Sequence, residues 1–202
     1  MEPSARWKQT WKHLRGPAPS GLVEKLVSAY SESHRAYHTL QHLTECFSHL
    51  DDYPAEPSDA GLLELALWFH DAVYDTKAAD NEAQSAVWAR SALTSLSMDD
   101  LAKIERLILV TKHDAAPVSY DEKLLLDIDL SILGAPKDRF AEYESQVRRE
   151  YAWVPEDAYR TARSKILREF QRRSVIYRTL HFREKLERQA RINLEFSLAS
   201  NQ

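Results

Sequence analysis

The amino-acid sequence predicts an all-α protein that folds as a single domain. Only 4 of the 202 residues are glycine, and residue types that favour helix, such as Ala, Leu, Glu, Lys, Arg and Gln, dominate the composition. Apolar residues recur at helical spacing, as at Leu22, Leu26 and Tyr30, and no segment alternates as a strand would. The chain is long enough to bury one full core, and no linker indicates a second domain.

The helix boundaries are predicted from breakers and caps. Trp7, Trp11 and Leu14 mark one face of a short first helix, which segment 16–20 ends. Ser20 is the predicted N-cap of the second helix. The helices after the first are expected at about 22–30, 37–50, 59–75, 80–96, 98–113, 138–151, 156–172 and 174–198. Segment 127–133 precedes a stop at 134–136, and the loop 54–57 separates the third helix from the fourth.

The single cysteine and the lack of a signal-peptide pattern predict in which cellular compartment the protein works. Cys46 has no partner for an intrachain disulfide, which suits a reducing environment, and we interpret it as a small core residue. Residues 1–16 contain no apolar segment typical of a signal peptide. No stretch approaches the roughly 18 uninterrupted apolar residues of a membrane span. We therefore expect a cytoplasmic protein with no membrane partner.

Charge is distributed unevenly, although the net charge is only -4. Residues 1–136 hold 12 Lys and Arg against 21 Asp and Glu, whereas residues 137–191 hold 15 against 9, mostly arginine. The basic half is either a solvated face that pairs with the acidic half or a source of phosphate ligands. Arg148 and Arg163 are the candidates for substrate binding. The negative net charge and the lack of a recognised motif argue against a nucleic-acid partner.

Polar residues interrupt two segments that otherwise belong in a core. The run 62–73 is apolar on nearly every side and contains His70 and Asp71, and the run 124–133 contains Asp127 and Asp129. Burying an imidazole beside a carboxylate is costly unless something neutralises or coordinates them. A divalent metal ion does both, so these residues predict a metal site.

Helical spacing indicates which polar side chains share a face. His38 and His42 are four residues apart, so in a helix both project from one side. The neighbours of Asp129 three and four positions away are apolar, whereas those of Asp127 include Lys123 and Ser131. We therefore expect Asp129 to point inward, and Asp127 to be exposed or to support the ligands from behind. Each motif taken alone is equally typical of an ordinary core or surface residue.

Taken together, the histidine pair, the His-Asp dipeptide and the distal aspartate resemble the HD superfamily of metal-dependent phosphohydrolases, from about residue 30 to 135. Segment 37–42 is similar to the Y-H-N-x-x-H of cyclic-nucleotide phosphodiesterases, with Thr39 in place of asparagine. Segment 69–75 is similar to the L-H-D-x-x-x-D of bacterial alarmone hydrolases. Three further segments, 126–134, 147–151 and 190–194, resemble a group of bacterial predicted HD phosphohydrolases of about this length.

The resemblance implies an HD-type helical bundle with a metal site in residues 30–135, on which the helices of 137–198 pack. His42, His70, Asp71 and Asp129 match the metal ligands, and Asp71 is also expected to orient the attacking water. His38 matches the residue that protonates the leaving oxygen in phosphodiesterases. The departure at Thr39 leaves the reverse assignment open, with His38 as the ligand and His42 as the proton donor.

Two histidines and two carboxylates suit a divalent ion, and Mn, Fe, Co, Ni, Mg and Zn all stay open. Glu82, which follows Asn81 and precedes Ser85, is a second candidate for orienting the water, although an acid is also typical of a helix's first turn. His113 is interpreted either as a ligand to a second metal ion or as a partner of a helix C-terminus. Asp127 is the candidate for supporting the metal ligands from behind, or for a second metal ion.

The predicted function is hydrolysis of a small phosphorylated substrate, a nucleotide or another phosphoester, by a metal-activated water. Two other classes stay open. One is a module that keeps the metal and binds a nucleotide without turnover, and the other is a helical interaction protein whose polar residues are structural. A di-iron oxygenase would need His113 and Glu82 as additional ligands.

Overall fold

The computed structural model describes residues 2–55 and 57–200, with Ser200 described in its backbone only. Glu56, in the predicted 54–57 loop, lies outside the described residues. Within the described residues the chain is all helical and contains no strand, which confirms the predicted fold class. The elements in chain order are α1 Pro3–His13, α2 Leu22–Ala29, α3 Leu40–Asp51, α4 Ala60–Phe69, α5 Asn81–Ala92, α6 Met98–Val110, α7 Tyr120–Asp129, a 3₁₀ helix Leu130–Gly134, α8 Lys137–Glu150, α9 Glu156–Arg172 and α10 Leu180–Ser200.

The chain divides into two compact units, Met1–Leu126 and Asp127–Gln202. The expectation of a single domain stays a prediction. None of the helices in the described residues is long and apolar enough to cross a membrane.

Helix α4 is the centre of the first unit. Every residue from Gly61 to Phe69 is buried, and α4 packs against α1, α3, α5 and α6. Aromatic rings fill the space around it, with Trp68 edge-on to Trp7 at 5.4 Å and tilted against Phe47 at 5.2 Å. A helix that is apolar on all sides is stable only when it is enclosed in this way. Its C-terminal end therefore brings His70 into the core.

The sequence predicts that the third helix begins at residue 37, but helix α3 begins at Leu40. The Thr39 side chain accepts a hydrogen bond from the Gln41 amide at 3.2 Å, and Thr39 has extended backbone angles, so it is the N-cap. His38 consequently lies in the turn before the helix, whereas His42 lies in its first turn. The expectation that both histidines project from one helical face is wrong for this reason.

Helix α4 ends at Phe69, although the sequence predicted helix to residue 75. His70 is the C-cap, and its amide still donates to the Ala66 carbonyl at 2.8 Å. Beyond it, the Asp71 and Ala72 carbonyls accept hydrogen bonds from the Arg35 guanidinium instead of continuing the helix. The His-Asp dipeptide therefore lies in a turn.

The second helix also begins differently from the prediction. Its N-cap is Gly21, at a φ of 72°, and not Ser20. Glycine adopts this left-handed conformation without steric cost, and no atom lies within 4 Å of where a Cβ would stand. The turn geometry here outweighs the capping preference of a serine side chain.

The second unit is organised around α10, which packs on the 3₁₀ helix and on α9. The predicted helix 174–198 begins only at Leu180, because Asp127 holds the chain before it. The buried Asp127 carboxylate accepts hydrogen bonds from the Arg178 amide at 2.8 Å, the Thr179 amide at 2.6 Å and the Thr179 hydroxyl at 2.7 Å. It thereby supplies acceptors for the amides of the two residues that immediately precede α10.

Gly134→Ala should destabilise the protein by about 1–3 kcal/mol, because an added Cβ overpacks a closed interior. That Cβ would lie 2.6 Å from the Leu186 Cβ and 2.9 Å from the Leu186 carbonyl oxygen. Urea unfolding followed by circular dichroism measures the change. Gly16→Ala is the matched control, since its Cβ would come no closer than 3.7 Å to Trp11. Equal midpoints for both variants would contradict this close approach.

Candidate metal centre

Three ligand-type atoms converge at the C-terminal end of α4. The Nε2 atoms of His42 and His70 are 3.1 Å apart, and the Asp71 Oδ2 lies 3.1 Å from the His70 Nε2 and 3.5 Å from the His42 Nε2. Both histidines are buried, while the Asp71 side chain keeps 19% of its surface exposed. The group therefore lies in the core but is reached from solvent on the Asp71 side.

The rings of the two histidines are oriented by their other nitrogen. The His70 Nδ1 lies 2.8 Å from the Leu67 carbonyl oxygen, which only accepts, so this nitrogen carries the proton and Nε2 carries a lone pair. The His42 Nδ1 lies 3.0 Å from the hydroxyl of Tyr37, which is buried. Hydrogen bonds of this kind fix ring orientation and tautomer in metal-binding histidines.

Asp71 is the acidic member of the cluster. Burial alone would raise the pKa of its carboxyl group, but the imidazoles of His70, His38 and His42 together hold that pKa well below its usual range. The carboxylate therefore stays ionised across the neutral range, as a metal ligand must.

Cys46 belongs to the same neighbourhood, which the sequence analysis did not anticipate. One ligand atom from each of His42, Cys46 and His70 lies within 4.8 Å of the other two, so these residues form a candidate metal-binding group. The Cys46 Sγ is almost equidistant from the His42 Nδ1 and Nε2, at 3.8 and 3.7 Å. It therefore lies beside the ring and off the lone-pair direction of Nε2, where Asp71 is the better placed third donor. The spacing of four residues from His42 on α3 was the available signal.

His38 lies at the edge of this cluster. Its ring stacks on Tyr74, with centroids 4.1 Å apart, and is edge-on to His42 at 6.0 Å. His38 is half-buried, and it contributes electrostatically to the low pKa of Asp71. The structure thus brings His38, His42, His70 and Asp71 together. Which of the two histidines from segment 37–42 binds a metal stays a prediction.

Arg35 connects the two turns that carry these residues, and the sequence analysis missed it. Its side chain donates to the carbonyl oxygens of His38 at 3.1 Å, Asp71 at 2.6 Å and Ala72 at 3.0 Å. An isolated arginine in a loop gives no periodic or motif signal. Only the tertiary arrangement reveals its partners.

Helix α5 supports the turn that follows Asp71. The Asn81 side chain accepts from the Asp75 amide at 3.0 Å and donates to its carbonyl at 2.9 Å. The Ser85 hydroxyl accepts from the Val73 amide at 3.0 Å. Glu82 lies between them in the first turn of α5 and is half-buried. Asn81 and Ser85 thus have structural partners, and a catalytic role for Glu82 stays a prediction.

The remaining predicted site residues lie elsewhere in the fold. His113 follows the C-terminal end of α6 with a left-handed φ of 60°. In the second unit, Asp129 is half-buried, whereas Asp127 is fully buried. The expectation that Asp127 could be the exposed member of the pair is therefore wrong, because the carboxylate caps α10. The roles of His113 and Asp129 as ligands stay predictions.

The two arginines proposed for substrate both have protein partners in the second unit. Arg148 donates to Glu156 at 2.9 Å and to the Tyr151 and Val154 carbonyl oxygens. Arg163 donates to the Tyr143 hydroxyl at 2.7 Å and forms an ion pair with Glu144. Their assignment to substrate binding stays a prediction.

Comparisons of this chain with protein-family models, with curated proteins and with solved structures found no match. Membership of the HD superfamily is therefore a prediction drawn from the residues quoted above.

In metal-free protein above pH 8, long-range ¹H–¹⁵N correlation spectra should show His70 as the Nδ1–H tautomer. The reason is that the Leu67 carbonyl oxygen can only accept the hydrogen bond at Nδ1. Assignment uses a His70→Gln variant, whose spectrum lacks the His70 signals. An Nε2–H tautomer at His70 would contradict the orientation of the ring described here.

Proposed function

We propose that this protein is a metal-dependent phosphohydrolase that acts on a nucleotide or another small phosphoester. The observation that carries the proposal is the convergence of the Nε2 atoms of His42 and His70 with the Asp71 carboxylate. Atoms that accept hydrogen bonds repel one another at 3.1–3.5 Å unless a proton or a cation lies between them.

The donor set fits a divalent ion. His42, His70 and Asp71, which lie together in the first unit, would hold it. Two imidazole nitrogens favour Mn, Fe, Co, Ni or Zn over Mg, which prefers an all-oxygen environment. A bound ion of this kind supplies Lewis acidity, which lowers the pKa of water and polarises a phosphoryl oxygen.

The hydroxyl group of Tyr37 suits such a site because it both donates and accepts hydrogen bonds. Without an ion, the Tyr37 hydroxyl can donate to His42 Nδ1 while the proton on His42 Nε2 points to His70. When His42 Nε2 serves as a ligand, Nδ1 carries the proton and the hydroxyl accepts it. Neither arrangement requires the rings to move.

Glu64 shows how the same core treats a polar group that needs no ion. This carboxylate, also on α4 and buried, receives hydrogen bonds from Thr10 at 2.6 Å and lies 3.2 Å from Arg6 and 2.9 Å from His13. Its partners are donors and cations, so its charge is neutralised by protein groups. At the His70 end, two imidazole nitrogens and a carboxylate face one another, and all three are groups that bind metal ions, so we assign an ion to this end.

His38 is the residue we assign to proton transfer. Its half-buried ring lies against Tyr74 and is close enough to Asp71 to lower the pKa of that carboxyl group. An imidazolium there would donate its proton to the leaving-group oxygen as the P–O bond breaks. His38 lies in the turn before α3, whereas His42 lies in the first turn of that helix.

Metal content tests the proposal first. Wild-type protein purified without chelator should contain about one equivalent of transition metal by elemental analysis, and His70→Ala and Asp71→Ala should contain almost none. Both variants should keep their helical circular dichroism. Asp129→Ala tests in the same assay the prediction, drawn from the sequence alone, that this aspartate is a ligand.

His49→Ala is the matched control for these variants. It removes a histidine from the last turn of α3, about 10 Å along the helix from His42. This variant should keep its metal. If the wild-type protein takes up no Mn, Co or Zn, the proposal is overturned, and a helical interaction protein is favoured instead.

His38→Ala should keep the metal and lose activity by a factor of about 10²–10⁴, the usual contribution of a general acid. The assay measures phosphate release from a panel of nucleotides with the metal found in the wild type. Loss of metal from this variant would exchange the roles of His38 and His42. Metal retention without phosphate release by the wild type on any substrate would instead favour a binding module without turnover.

A further inference from the structure

We propose that Arg35 is a positioning residue that fixes the His38 turn and the Asp71 turn relative to each other. This proposal rests on the proposed function, since its consequence is the geometry of that metal site. Arg35 precedes both turns in the chain. It acts through backbone carbonyl groups.

The guanidinium group joins two turns, of which one lies 3 positions and the other 36 and 37 positions after Arg35 in the chain. Its Nη1 donates to the His38 and Asp71 carbonyl oxygens, and its Nη2 donates to the Ala72 carbonyl oxygen. One rigid plane thus holds the peptide group that follows His38 and the peptide group that follows Asp71. The separation between these two side chains depends on that plane.

Burial keeps Arg35 from acting as a substrate contact. Its side chain is 0% exposed, and its Nε donates to Glu32 at 3.0 Å. The guanidinium also lies over the rings of Tyr30 and Tyr74, at 5.3 and 5.4 Å from their centroids. A fully buried cation is expensive, and three carbonyl groups, one carboxylate and two aromatic faces offset that cost.

A lysine would not replace this group. Guanidinium presents five N–H donors in a fixed plane, whereas an ammonium group is a compact charge with three rotating donors. Arg35→Lys therefore keeps the positive charge and the approximate volume but loses the simultaneous contacts with both turns. This variant separates positioning from charge.

The experiment compares Arg35→Lys with Arg6→Lys, a buried arginine of the same unit that pairs with Asp51 and Glu64. We expect Arg35→Lys to weaken Co²⁺ binding at least about tenfold and to change the visible absorption spectrum of the bound Co²⁺. Arg6→Lys should keep the Co²⁺ affinity within twofold of the wild type and leave the absorption spectrum unchanged. Equal affinity and an unchanged spectrum in Arg35→Lys would overturn the proposal.

Amide hydrogen exchange on metal-free protein tests the same contact without any metal. Exchange should speed up in segments 36–39 and 70–74 of Arg35→Lys and stay unchanged there in Arg6→Lys. Unchanged exchange in both segments would overturn the positioning role. If the wild type binds no metal while exchange changes as expected, the proposed function fails and the positioning role stands.

Glu32→Gln covers the case in which Arg35→Lys does not fold. This substitution removes the ion pair with Arg35 but leaves the donors to the three carbonyl groups in place. Its Co²⁺ affinity should stay within twofold of the wild type. A tenfold loss would show that the ion pair, and not the link between the turns, controls the site, and would overturn the proposal.

Discussion

The enclosure of α4 is the constraint on which the first unit depends. Because every residue from Gly61 to Phe69 is buried, any polar group on this helix or at its C-terminal end must be satisfied inside the protein. Glu64 meets this requirement with Arg6, Thr10 and His13, which attach α1 to α4. Breaking one such pair would leave a buried charge, so these residues stabilise the fold only as a set.

At the His70 end of α4, the buried polar groups are satisfied by contacts between turns. This explains why the candidate metal centre lies on turns and not along a helix. If α4 had continued to residue 75, the Asp71 and Ala72 carbonyls would have accepted helical hydrogen bonds. They accept instead from Arg35, so the chain turns away and the Asp71 carboxylate comes back to 3.1 Å from the His70 Nε2. Helix α5 then secures the returning segment through Asn81 and Ser85. Packed helices position the two histidines, and Arg35 from another turn holds the backbone that carries the Asp71 carboxylate.

Helical periodicity predicted the all-α class and the approximate position of most helices, although not of α7, since apolar spacing reports directly on burial. The polar residues inside apolar runs were likewise recoverable, and His42, His70 and Asp71 do lie together. The errors fall where a local preference competes with a tertiary contact. Thr39 capped a helix expected to include His38, and Asp127 was buried because it caps α10. Arg35 left no signal, because its partners are backbone carbonyl groups that every sequence contains.

The Asp127 contact has a consequence for how the second unit folds. The Asp127 carboxylate accepts hydrogen bonds from amides that lie 51 and 52 residues further along the chain, so α8 and α9 lie within the loop that this contact closes. Closing a loop of that length has an entropic cost, which rises only slowly with the number of residues in the loop. The same contact offsets the burial of the carboxylate, so the start of the second unit and its last helix depend on each other: a chain truncated before residue 178 would either bury this acid without its donors or leave that part of the unit open to solvent.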